Sequence, residues 1–401
     1  MLLDVDEVLL GPQVVELVAD VVAALDERVA EHVLGAEEDL DGVRELDLPA
    51  ATGLDLVELQ LIAATDPTTL GVSAGTDGSA GFVTFRSSAG TGGTLTANRL
   101  AHMLGDSAEI VVVDRDGAVI ESGGDIDATI FPRSTLKPFQ AIAALRSGAE
   151  LDGVELVLAS ASHCGSHRHT DAVEAMLAHD GLGVSELGCP PAWPLGYSEK
   201  ADRIAKGEDR QRVTMNCSGK HAAFLRACVV NGWDTANYLE PHHPLQARIR
   251  EVVEEFTGAT ELWPAVDGCG APLYGMSLRA LGTGIARVTD GHDANAVKLV
   301  SAIRDNAWAL DGAGRDNTRV IEATGCVAKI GAEGVLIIAR DGIAVALKCL
   351  DGSDRANTAV AVTLLARHGV IERSVAEALI EELVEPITGG DEIVGRLTVS
   401  V

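Results

Sequence analysis

Apolar residues at Val14, Val18, Val21, Leu25 and Val29 recur at helical spacing and predict an amphipathic helix within Pro12 to Leu34. A Gly/Ser/Thr-rich tract from Gly71 to Thr94 breaks that pattern and predicts a linker or long loop. From Glu109 the pattern turns to strands. Ile110-Val111-Val112-Val113-Asp114 and Ala118-Val119-Ile120-Glu121 flank Asp116-Gly117, a hairpin signal. Val335 to Ala339 and Ile343 to Leu347 flank Asp341-Gly342 in the same way. Between the hairpins, helical patterns run over Thr170–His179, Gly219–Val230, Leu245–Phe256, Leu273–Leu281 and Ala294–Leu310, with a last pair at Ser353–Ala366 and Val375–Leu383. Strands at both ends with helices between and after predict an α+β fold. Both hairpins would join one antiparallel sheet flanked by helices, without alternating βαβ units.

Composition narrows the class. A chain of 401 residues can bury a large core, and 47% hydrophobic content is that of a folded protein. No run of about 18 apolar residues occurs, so no membrane span is expected. The first residues lack the basic flank and apolar stretch of a signal peptide. A net charge of -29 argues against nucleic acid or anionic membrane as partner. Residues 1–100 hold 18 acidic and four basic side chains and no lysine or cysteine. Residues 1–90 therefore read as an acidic N-terminal extension without assigned chemistry, and residues 91–401 as the functional domain. The seven cysteines are odd in number and lack paired spacing. They read as reduced cytoplasmic thiols, some available as metal ligands.

The candidate chemistry rests on lysine. Only seven of the 31 basic side chains are lysine, and a desolvated lysine can act as a base where arginine cannot. Ser134-Thr135-Leu136-Lys137 opens an apolar helical run, so hydroxyl and amine fall on one face a turn apart. A neutral amine there can take the proton from Ser134, and the helix start favours a developing oxyanion. Common residues make this motif weak by itself.

Four more stretches concentrate reactive side chains. Ser162-His163-Cys164 begins a run with three histidines whose spacing matches no ligand pattern. Asn216-Cys217-Ser218-Gly219-Lys220-His221 has the end of a phosphate loop, but Thr214 stands where its first glycine belongs, which excludes a nucleotide site. Cys217 and Lys220, three apart, can face one point. Asp267-Gly268-Cys269 is a tight turn with carboxylate and thiol close together. Lys329 lies in the apolar run from Gly325 to Gly331, where burial would lower its pKa. Each has an ordinary reading when taken alone: a polar loop, a buried thiol, a lysine reaching for solvent.

Their order is more specific. Arg133-Ser134-Thr135-Leu136-Lys137-Pro138, Ala161-Ser162-His163, Asn216 to His221, His243-Pro244-Leu245-Gln246 and Asp267-Gly268-Cys269 together resemble the asparaginase II family, the Rhizobium-type L-asparaginases, over residues 108 to 400. The resemblance implies a fold similar to serine β-lactamases and glutaminases, a homodimer, and hydrolysis of L-asparagine to L-aspartate and ammonia. It implies two serine–lysine pairs, Ser134 with Lys137 and Ser162 with Lys329. Cys217, Lys220 and Cys269 would hold one zinc ion, and Asp267, Arg133 and His221 would line the substrate pocket. Two departures stand out: Cys164 occupies a position where the family often has serine, and residues 1–90 have no counterpart. A penicillin-recognising hydrolase would share the S-x-x-K spacing, but the chain has no S-D-N or K-T-G motif. A zinc-stabilised binding module would explain the cysteines and leave the serine–lysine pairs unexplained.

Overall fold

The computed structural model describes residues 108–399. The helix expected within Pro12 to Leu34, the Gly-rich tract and the boundary near residue 90 lie outside these residues. The two hairpins are present and share one sheet. Strands β1 (Ala108–Asp114) and β2 (Val119–Gly123) form the first. With β6 (Val327–Gly331), β7 (Val335–Arg340) and β8 (Ile343–Cys349) they make a five-stranded antiparallel sheet in the order β2-β1-β8-β7-β6. The join is the β1–β8 ladder, in which Val112 faces Val345.

Both faces of this sheet are covered, as near-continuous apolar strands require. Helix α7 (Leu278–Val288) packs on β1 and β8, with Gly282 against Val111, Val113 and Ala346. Val112, Val345 and Leu347 alternate with these and are equally buried. Helices α10 (Asn357–Arg367) and α11 (Arg373–Leu383) pack together, and α10 lies on β7 and β8. The α+β arrangement, an antiparallel sheet flanked by helices, is the one the hydrophobic pattern predicts.

The remaining helices build a second layer around α1 (Lys137–Arg146), which is buried from Lys137 through Ala144. Around it pack α2 (Gly153–Ser160), α5 (Ser218–Asn231), α6 (Pro244–Thr257) and α8 (Ala294–Asp305). Helices α3 (His167–His179), α4 (Tyr197–Ala205) and α9 (Asp316–Thr324) complete the set. A small sheet in the order β3-β5-β4 joins β3 (Thr129–Ile130), β4 (Trp263–Val266) and β5 (Pro272–Ser277), and β9 (Ile387–Gly389) pairs with β10 (Glu392–Gly395).

One element differs in kind from expectation. The helix expected over Leu273–Leu281 is strand β5 up to Ser277, and only then helix α7. A continuous apolar run does not distinguish a buried strand from a buried helix. The break falls at Ser277, whose hydroxyl accepts from the Ala280 N–H and caps α7. The helix expected over Ala294–Leu310 stops at Asp305 and gives way to a 3-10 turn, Ala307–Ala309.

Candidate active site

The site forms where the sheet's last strand, β6, meets the helical layer. A 3-10 turn, Arg133–Leu136, runs directly into α1, so Ser134 sits on the turn and Lys137 opens the helix. Pro138 is tolerated there because the first helical N–H groups have no intrahelical acceptor. Thr135 closes the turn, donating from both its N–H and its hydroxyl to the Pro132 carbonyl. Gly331 of β6 lies so close that a Cβ on it would come within 2.8 Å of the Pro132 oxygen. Glycine is what lets the strand bearing Lys329 press against the turn bearing Ser134.

Lys137, Lys220 and Lys329 are each 1% exposed, unlike the chain's other described lysines. A buried lysine needs partners for its amine. Lys137 Nζ donates to the Ala161 carbonyl at 2.5 Å and to Ser162 Oγ at 2.8 Å. Lys329 Nζ donates to the same Ser162 Oγ at 2.8 Å and to the Ile330 carbonyl at 2.5 Å. Of the two expected serine–lysine pairs, Ser162 with Lys329 is in contact, whereas Lys137 also bonds Ser162 and not Ser134. Ser134 is half-buried, and its hydroxyl has no hydrogen-bond partner among the described residues. Burial, and then the nearby Lys137 charge, push the Lys329 amine down to about 7, against opposing pulls from Asp311, Cys217 and Asp267. It is therefore a base poised near neutrality.

Arg133 stands beside this oxygen-rich corner in a left-handed backbone conformation, with φ of 52°. Its guanidinium donates to Asp267 at 2.7 Å and to Glu333 at 2.5 Å. Left-handed geometry is costly for a residue with a long side chain, and such outliers collect at functional sites. The main-chain N–H groups of Thr135, Ser162 and His163 are all bonded within the fold. Positive charge near Ser162 therefore comes from side chains rather than from these amides.

A sulfur cluster adjoins the lysines. Gly219, one residue into α5, approaches α2 so closely that a Cβ would meet the Leu158 carbonyl at 2.7 Å. Lys220 Nζ donates to Cys269 Sγ at 3.1 Å. Ligand atoms of Cys217, Asp267 and Cys269 all lie within 4.8 Å of one another. A hydrogen bond with Cys217, followed by the Lys220 charge and His221, drives the Cys269 thiol far down despite burial, while Cys217 is driven up. The two thiols are thus pushed in opposite directions, Cys269 toward the thiolate and Cys217 toward the neutral form. Burial opposes charge on Lys220, yet Cys269, Cys217 and Asp267 outweigh it and raise its pKa. Two sulfurs, a carboxylate and an amine on one point are a donor set suited to a soft or borderline divalent metal.

His221 is fully buried, with Nδ1 2.7 Å from the Tyr238 hydroxyl. That hydroxyl accepts from the Gly188 N–H at 2.7 Å, so its own proton goes to His221. The His243-Pro244-Leu245-Gln246 motif supports this contact. His243 Nδ1 caps α6 by accepting from Leu245 N–H, Pro244 takes its first position, and Gln246 Nε2 donates to the Tyr238 carbonyl at 2.8 Å. Tyr238 lies outside the sequence motifs, and nothing in the sequence singles it out. His163, also fully buried, lies with Nε2 2.9 Å from Ser218 Oγ. Burial and the neighbouring His169 and Lys137 push it well below the usual histidine value, so it is neutral. Cys164 sits 3.4 Å from Glu199, and burial raises its thiol to about 11. The thiol is therefore held in its protonated form.

The profile of a family described as L-asparaginase II matches residues 106–399. No curated protein matches. Among solved structures, Mglu in its glutamate form is 12% identical with a TM-score of 0.39, covering 67% of this chain and 62% of that chain. A β-lactamase from Mycobacterium bovis is 14% identical with a TM-score of 0.37, covering 70% of this chain and 96% of that one. A Bacillus glutaminase is 13% identical with a TM-score of 0.29, covering 67% and 92%.

Proposed function

The chain belongs to the L-asparaginase II family, and from that premise we propose that it hydrolyses L-asparagine to L-aspartate and ammonia through a serine activated by buried lysines. The observation that carries this reading is Ser162 Oγ held between Lys137 and Lys329, each at 2.8 Å. Such a pair of amines on one hydroxyl has little structural purpose, because burying two cations together is costly.

These contacts support a proton relay between Lys329, Ser162 and Lys137, to which a Ser134–Lys137 contact would be added when substrate binds. The neutral Lys329 amine takes the Ser162 proton, Ser162 takes one from Lys137, and Lys137 then accepts the proton of Ser134. Ser134 Oγ attacks the side-chain amide carbon. When the tetrahedral intermediate collapses, the relay runs backwards and delivers a proton to the leaving nitrogen, so ammonia departs from an aspartyl ester on Ser134. Water, deprotonated through the same relay, hydrolyses that ester. Arg133 would bind the substrate carboxylate and Asp267 its ammonium group, each exchanging its partner in the ion pair between them. His221 would order the pocket through Tyr238.

Cys217, Cys269 and Lys220, with Asp267 alongside, would hold one zinc ion, which supplies a fixed positive charge beside the substrate. Lysine binds metal only as the neutral amine, so occupancy would displace the proton that Cys269 now holds on Lys220.

A second reading makes Ser162 the nucleophile, because it alone touches both lysines. Ammonia release from asparagine tests the function. Intact-mass trapping of the ester in Ser134→Ala and Ser162→Ala separates the two readings. The seven cysteines are all buried and odd in number, which suits a reducing compartment, so the proposal includes a cytoplasmic location. No helix among the described residues is long and apolar enough to cross a membrane. A homodimer is part of the same proposal, to be read by sedimentation.

A further inference from the structure

Strand β6 is the last strand of the main sheet, so every second main-chain N–H on its outer edge needs a partner from elsewhere. Ile330, next to Lys329, finds one in a side chain: its N–H donates to Asn317 Oδ1 at 3.0 Å. Asn317 in turn donates from Nδ2 to Asp311 Oδ2 at 2.9 Å. Asp311 Oδ1 accepts from Arg315 Nε at 2.5 Å. Asp311 and Asn317 are 3% and 4% exposed.

The main chain at Asp311 performs a second task. The Leu310 and Asp311 carbonyls accept from the N–H groups of Ser162 and Cys164 at 2.9 and 2.5 Å, so this turn is bonded to the segment that carries the serine. The Ile330 peptide is also gripped at both ends, because its carbonyl accepts from Lys329 Nζ while Asn317 holds the N–H.

We infer that Asp311 is the positioning residue of the Ser162–Lys329 contact, its carbonyl holding Cys164 in the segment that carries the serine and its carboxylate, through Asn317, fixing the strand that carries the lysine. One buried residue thereby sets the distance across which the proton moves. Its negative charge also opposes the forces that discharge Lys329. The charged or titratable groups acting on that amine are Lys137, Asp311, Cys217, Asp267 and, farther out, Asp354. Of these, Asp311 is the one tied to the lysine strand through a chain of hydrogen bonds.

The inference rests on the proposed role of Lys329 as a base, and its test keeps the two apart. In full-length protein with labelled lysine side chains, the Lys329 amine is followed by NMR titration, assigned by its loss in Lys329→Met. Asp311→Asn keeps an acceptor for Asn317 and removes the charge. The Lys329 midpoint, about 7 in the native protein, should fall by roughly half a unit or more. The acid limb of kcat/KM for asparagine should move down with it. Asn317→Ala should lower kcat by about 10²-fold through misplacement, with little change in KM. An unmoved Lys329 midpoint in Asp311→Asn overturns the inference, as does a folded Asn317→Ala with native kcat. If Asn317→Ala does not fold, the Asp311→Asn titration decides alone. A native protein that releases no ammonia sinks the proposed reaction, and the titration still decides the positioning role.

Discussion

Lys137 and Lys329 meet on a single oxygen atom: each amine lies 2.8 Å from Ser162 Oγ, although the two lysines come from opposite layers of the fold. Two ammonium groups so placed cannot both keep their charge cheaply. The one that yields is Lys329, whose pKa falls to about 7.

That depressed value makes a stability prediction with a definite sign. Unfolded, Lys329 would titrate near its ordinary value, so between about 7 and 10 the unfolded chain binds more protons and stability rises with pH. Below about 7 the folded protein carries the full cost of charging this amine. Lys329→Met should therefore abolish turnover and yet stabilise the fold, by about 2–4 kcal/mol at pH 6 and less at pH 9. Thermal unfolding at the two pH values checks it; equal stabilisation at both would show that Lys329 is not discharged.

Activity should follow the same group. The relay needs Lys329 neutral, so kcat/KM should rise through an acid limb near 7. Lys329→Arg should be inactive by at least about 10³-fold, because guanidinium stays protonated throughout. A limb at pH 5, or an active Lys329→Arg, would assign the base elsewhere.

The two serines should separate cleanly. The Ser134 hydroxyl makes no hydrogen bond among the described residues, so Ser134→Ala should change stability by less than about 0.5 kcal/mol while removing turnover. Ser162→Ala strips both lysines of a shared partner and should cost stability as well as activity. Near-native turnover in Ser134→Ala would move the nucleophile to Ser162.

Gly331 offers a purely steric test. A methyl group there would come to 2.8 Å from the Pro132 carbonyl, and the neighbour it meets is main chain, which cannot swing away. Gly331→Ala should force β6 and the Ser134 turn apart, with a loss of about 1–3 kcal/mol and a disproportionate fall in kcat. Unchanged kinetics would mean that the turn and strand are free to shift.

These tests also mark what the sequence makes legible. The hairpins around Asp116-Gly117 and Asp341-Gly342 announce themselves because alternation and turn chemistry are local. Leu273 to Ser277 does not, since a fully apolar strand has no alternation to read. Helices α2, α4 and α9 likewise escape the pattern. In the site, the three-residue step from Ser134 to Lys137 is visible, and it suggests that these two residues bond each other. The contact actually made by Lys137 is to Ser162, 25 positions on, and Lys329 reaches that atom from 167 positions away. Asp311, Asn317 and Tyr238 are ordinary polar residues in the sequence; only burial and partners give them meaning.

The last prediction concerns the metal. Cys269 is pushed toward the thiolate and Lys220 toward its charged form, and the two pair at 3.1 Å. Zinc would have to displace the Lys220 proton and that of the Cys217 thiol, so binding should release protons and weaken steeply in acid. Purified protein should carry about one zinc per chain. Lys220→Arg should lose the metal while keeping the charge, since guanidinium has no lone pair to give. Cys217→Ser and Cys269→Ser should lower occupancy by replacing a soft donor with a hard one. Asp267→Asn separates two ligand sets. If the carboxylate within 4.8 Å of both sulfurs is a ligand, occupancy falls in this variant too. If Asp267 serves only Arg133 and the substrate, zinc stays and KM rises instead. Elemental analysis that finds zinc unchanged in Lys220→Arg would remove the lysine from the ligand set. No zinc in the native protein would leave Cys217 and Cys269 as a buried thiol–thiolate pair neutralised by Lys220.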